Sequence, residues 1–304
     1  MVEKNSHYKA REYWKMKCRI IYFLIMTCFV IPEDKKKSEN QLRLNPGMLK
    51  GLSLDLIPKD VSARTEKLID KEILAIKETA KKFKFDPVGE EEVVLMETSS
   101  GKIILELYEN VAPNHCNNFK RLANSGFYDG TLFHRVIKGF MIQGGDILSR
   151  DNDPSNDGQG NPGWTVGAEF SSISHGPGIL SMARSQNPNS AGSQFFICHE
   201  EAKHLDGKYT VFGKVIDNFY VVQRIANAVT EKRMLKRLLK NKIPDGEKTE
   251  KWMEFRKQFV KVPNGMNPND YRVQLSSYVN SDRPLAPIKI LKVRVVKKMD
   301  IENE

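Results

Sequence analysis

In Phe133-His134-Arg135-Val136-Ile137-Lys138-Gly139-Phe140-Met141-Ile142-Gln143-Gly144-Gly145-Asp146, an extended rhythm comes first. Phe133, Arg135 and Ile137 fall on one face of a strand, and His134 and Val136 fall on the other. Lys138-Gly139 then turns the chain, which presents Phe140, Met141 and Gln143 before Gly144-Gly145-Asp146 breaks the strand. A plain core strand has no need of Arg135, and a solvated loop has no need of Phe140 and Met141. Together they suit a shallow apolar pocket with a fixed cation at its wall.

Two more motifs follow in order, Ser193-Gln194-Phe195-Phe196-Ile197-Cys198 and Leu205-Asp206-Gly207-Lys208-Tyr209-Thr210-Val211-Phe212-Gly213. With them, the chain resembles the cyclophilin family of peptidyl-prolyl isomerases. The resemblance runs from about Glu92 to Val229, resumes from about Arg283 to Lys297, and leaves out residues 1–90 and about 231–282. It implies a mainly β fold, a closed eight-stranded barrel capped by two helices. It also implies a cofactor-free, metal-free enzyme acting on X-Pro bonds of peptides and unfolded chains.

Rotation about such a bond faces a barrier of about 20 kcal/mol, because amide resonance must be broken. A slot for the proline ring, anchors for the flanking backbone and a cation near the prolyl nitrogen all help. The cation favours the lone pair localising on nitrogen as the bond twists. Arg135 suits that catalytic role, with a permanent charge and a rigid donor fork. By family resemblance, Phe140, Met141, Phe196 and Leu205 line the ring pocket, while Gln143 and the backbone around Ala183 hold the substrate chain. His204 stands where the family often has tryptophan, and Tyr209 where it has a histidine at the pocket rim, so the resemblance implies weaker binding of the cyclic peptide cyclosporin. His134 points to the far strand face and reads as structural.

Composition agrees with a soluble globular chain: 304 residues, 40% hydrophobic and 28% charged, with a net charge of +10. Four cysteines are too few for a disulfide framework, and Cys116 and Cys198 read as buried thiols. His175, His199 and His204 lack metal-ligand spacing. Gly158-Gln159-Gly160 lacks the strand and helix of a dinucleotide site, and Gly192-Ser193-Gln194 is not a nucleophile elbow.

Residues 1–37 place a basic segment before the apolar run Ile20 to Ile31, which Pro32 ends. The run falls short of the roughly 20 residues that span a bilayer and fits a secretory signal or an uncleaved anchor. A short buried strand or helix is the alternative. The expected location is therefore exported or membrane-anchored (periplasmic for a bacterial source), or else cytoplasmic. Residues 38–90 hold a linker and an amphipathic helix running from Asp60 to Phe83, and residues 91–298 the isomerase-like domain, with 299–304 as a tail.

Within that domain, residues 231–282 stand where the family resemblance implies a short turn. Thr230 to Asn241 reads as a basic helix and Glu250 to Val260 as a second helix bearing Trp252, Met253, Phe255 and Phe259. The expectation is an inserted helical hairpin that recruits a protein partner, its basic face solvated rather than bound to nucleic acid. The rival to an enzyme is a proline-binding scaffold in which this hairpin provides recognition.

Overall fold

The computed structural model describes residues 70–301 apart from residue 152. The signal or anchor reading and the first part of the amphipathic helix lie outside the described residues. The rest of that helix, α1 (Asp70–Lys82), buries Ile73 and Ala80, which join the main core of the barrel with Val88. Its stripe is thus spent on the domain that follows.

The barrel begins with the hairpin β1 (Glu92–Thr98) and β2 (Gly101–Leu107). Pro113 opens α2 (Pro113–Asn124), where its missing N–H costs nothing, and Gly126 follows the helix at positive φ. Next come β3 (Arg135–Ile137), β4 (Met141–Gly144), β5 (Ile179–Met182), β6 (Phe195–Cys198) and β7 (Val211–Asp217). Helix α3 (Phe219–Ala226) buries Val221, Val222, Ile225 and Ala226. The closing strand, β10 (Ile290–Lys297), pairs with β1. The sheet order is β10-β1-β2-β7-β5-β6-β4-β3. Its interior is filled by Phe119, Tyr128, Phe195 and Phe212, with ring centroids 5.1 to 5.5 Å apart where Phe119 meets the other three.

The barrel is less closed than the resemblance implies. No ladder joins β3 to β10, and the seam is made by the bridge between Leu132 and Lys289. Phe133 N–H donates to Ile288 O and Ile290 N–H to Thr131 O there, at 3.0 and 2.8 Å. The strand starts only at Arg135, and Phe133 sits in the core and does not share the exposed face of Arg135.

The insertion also differs from expectation. Its first helix is present as α4 (Glu231–Leu238). The second is instead a β-hairpin of β8 (Trp252–Phe255) and β9 (Gln258–Lys261), followed by α5 (Pro268–Tyr278). Met253 and Phe255 point inward and Glu254 outward, which is a two-residue period. Arg256 and Lys257 make the turn at φ 53° and 63°, without the Gly or Asn that marks such turns. Leu235, Met253, Phe255, Val260, Tyr271, Leu275 and Tyr278 form a small core of their own. At the root, Leu285 N–H donates to Val229 O and Glu231 N–H to Arg283 O, each at 2.9 Å. The insertion therefore leaves and rejoins the barrel at nearly one point, and its length adds little closure entropy.

Candidate active site

Strands β3 and β4 pair so that Arg135 stands opposite Gln143. Arg135 Nη1 donates to Gln143 Oε1 at 3.2 Å, which holds an otherwise exposed guanidinium in place. Gln143 Nε2 donates to Gln194 Oε1 at 3.0 Å, and Gln194 Nε2 donates to Gly158 O and Gly160 O at 2.9 Å each. This amide relay ties the cation to β6 and to the polar loop. Gln194 lies inside a motif read as diagnostic, yet its role depends on a partner far away in sequence. Gly145 allows the sharp exit from β4: it has φ +85°, and a Cβ there would lie 2.4 Å from Ser193 O.

Beside the relay, the residues assigned to the ring pocket come together in one apolar cluster, separate from the barrel interior. Met141, Phe196 and Leu205 are its buried members, with Phe140, Ala183 and Tyr209 packed against them. The Tyr209 ring meets Phe196 edge-on at 6.0 Å, and Arg184 lies over its face at 4.5 Å. His204 is exposed on the rim, its ring 5.3 Å from that of Phe140. Ala183 N–H already donates to Gln194 O at 2.9 Å. The N–H of that residue is therefore already spent within the domain. His134 is buried, and burial pushes its imidazole pKa down from the ordinary value, with Asp146 opposing the shift. Burial likewise pushes the thiols of Cys116 and Cys198 up to about 12, which leaves them inert.

The family model for cyclophilin-type peptidyl-prolyl cis-trans isomerases matches residues 93–244. A peptidyl-prolyl cis-trans isomerase-like 1 of Neurospora crassa is 36% identical over 215 residues, 69% of this chain and 97% of that protein. The chain belongs to the cyclophilin family. A peptidyl-prolyl cis-trans isomerase of Synechococcus elongatus is 47% identical over 124 residues, covering 41% of this chain and 80% of that protein. A solved Cryptosporidium parvum cyclophilin, determined in the presence of the dipeptide ala-pro, is 28% identical over 67% of this chain and 99% of its own, with a TM-score of 0.47. Among the described residues, no helix is long and apolar enough to cross a membrane.

Under the cyclophilin slot, Asp206 organises the loop that carries Leu205. It accepts hydrogen bonds from Ser174 Oγ at 2.7 Å, from His175 N–H at 2.8 Å and from His175 Nδ1 at 2.9 Å. The bond from Ser174, followed by the two from His175, holds its carboxyl at about 2, below the ordinary 3.8. The His175 ring in turn stacks 6.1 Å from Phe196. A carboxyl with a lowered folded pKa contributes stability above its unfolded value and loses it as pH falls through the folded one. Acidification from pH 3.8 to about 2 should therefore loosen the slot. Near-UV dichroism of the Tyr209 environment should show a step in that window, and Asp206→Asn should remove it. An unchanged step in the variant would disprove the assignment.

Proposed function

We propose that this cyclophilin accelerates cis/trans rotation about exposed X-Pro bonds in peptides and unfolded chains, with Arg135 as the catalytic cation. The observation that carries this reading is the ladder register, in which Arg135 stands opposite Gln143 and Gln143 opposite Phe196 of the apolar cluster, with the guanidinium bonded to Gln143. The prolyl ring enters between Phe140, Met141, Phe196 and Leu205, whose apolar faces replace water around it. Gln143 and the backbone around Ala183 hold the flanking substrate chain. As the amide twists and its resonance is lost, charge gathers on the prolyl nitrogen. A guanidinium that is already oriented stabilises that state without reorganising. No proton is transferred and no covalent bond is made. A coupled assay on a proline tetrapeptide is the test. Isomerisation faster than the uncatalysed rate is expected, and an unaltered rate would end the reading.

The rim predicts the inhibitor response. Cyclosporin should bind, but weakly, because His204 offers less apolar area than an indole and carries a polar edge. His204→Trp should tighten binding by about tenfold, since a buried aromatic surface of that size is worth about 1–2 kcal/mol. Titration of both proteins decides it, and equal affinities would refute the role given to His204.

A further inference from the structure

A polar cleft of about 340 Å³ shares Arg135 and Gln143 with the candidate site but is lined by none of the residues of the apolar cluster. The barrel supplies one wall through Arg135 and Gln143. The return of the insertion supplies the other through Asn280, Ser281 and Asp282, with Asp157 also in the lining. The insertion wall is built in. Asp282 O accepts the N–H of Val136 at 2.8 Å, and Ser281 O accepts the N–H of Lys232 at 2.9 Å. Next along the chain, Arg283 binds the buried Glu231 at 2.5 Å and lies 3.7 Å from Asp157.

Asp282 is the charged group in this wall with unspent capacity. Its carboxylate lies 4.0 Å from Arg135 Nε and 3.7 Å from Lys232 Nζ. Both are ion-pair separations beyond hydrogen-bond reach. Among the described residues it accepts no hydrogen bond, yet it is only 19% exposed. The neighbouring cations already balance its charge, so a positively charged ligand would meet Arg135 and Lys232 at close range. An apolar ligand would strip water from Asp282, Gln143 and Asn280 and return no hydrogen bonds. An uncharged donor satisfies the carboxylate without either cost. Arg135 is common to slot and cleft, so a peptide whose proline fills the slot passes the cleft within a few residues.

We infer that the cleft is a second substrate subsite, in which Asp282 accepts a hydrogen bond from an uncharged carboxamide or hydroxyl side chain near the proline. This rests on the isomerase reading above. The test uses the full chain and proline hexapeptides carrying Gln, Leu or Lys at each position around the X-Pro bond in turn. At one position Gln should exceed Leu by about tenfold in kcat/KM, the value of a hydrogen bond to a charged group, and Lys should gain nothing. Asp282→Ala should abolish that preference. Asp282→Asn, which keeps the side-chain shape if the alanine variant does not fold, should narrow it. Acceleration of every peptide with no preference for Gln, a preference for Lys, or a Gln preference that survives both variants would each overturn the subsite while leaving the isomerase reading intact. No acceleration of any peptide by the wild type would overturn both.

Discussion

Arg135→Ala should lower kcat/KM on a proline tetrapeptide by about 10²- to 10³-fold, the usual cost of removing one preorganised electrostatic group. Most of the loss should be in kcat, because the ring pocket that binds the proline is made by other residues. Stability should hardly change. The side chain is 47% exposed, its one hydrogen bond among the described residues is to Gln143, and its ion pair with Asp282 is long. Removing it leaves no buried charge unpaired. Arg135→Lys should fall between the two, since an ammonium keeps the charge but not the planar fork that Gln143 orients. Thermal melts run beside the coupled assay separate chemistry from folding. A variant that is both fully folded and fully active would remove the guanidinium from the mechanism.

The second large effect is expected on stability. Glu231→Ala should destabilise the domain by about 3 kcal/mol, at the lower edge of what breaking a buried ion pair costs. Glu231 is 1% exposed and accepts from both Nε and Nη2 of Arg283, at 3.2 and 2.5 Å. The nearby Asp157, 3.7 Å from Arg283, softens the loss without replacing those bonds. In a domain of this size the melting temperature should fall by about 6–12 °C. Replacing both partners by apolar residues should cost less than removing Glu231 alone, because no charge is then stranded. The same variant should blunt the Gln preference at the cleft, since Arg283 fixes the wall next to Asp282. A melt shift of under about 1 °C would mean that the pair does not hold the insertion to the barrel.

The pocket was legible because its chemistry is local. Arg135 and Gln143 sit on two arms of one tight hairpin, and a β-ladder places opposite residues side by side. Phe196 and Leu205 fall within motifs whose order alone distinguishes the barrel. The insertion was less legible. In Trp252 to Val260 the apolar residues suit a helix as well as a hairpin, and the turn at Arg256-Lys257 carries no glycine or asparagine to settle the choice. Asn267-Pro268 does cap and start α5, with Asn267 accepting from Asn269 N–H, so the start of that helix is marked locally.

The order of residues gives the short strands, the two capping helices and the pairing of Arg135 with Gln143, because strand alternation, turn chemistry and hairpin pairing act over a few residues at a time, while the barrel and the membership of the candidate slot come from the family resemblance that the motifs carry. Which groups from distant segments meet that cation depends on how the chain closes on itself. The seam at Leu132 and Lys289, the relay through Gln194, and Asp282 brought beside Arg135 by the pinned root of the insertion carry no local signal. They follow from packing and loop closure, where a contact exists only once everything between its partners has folded.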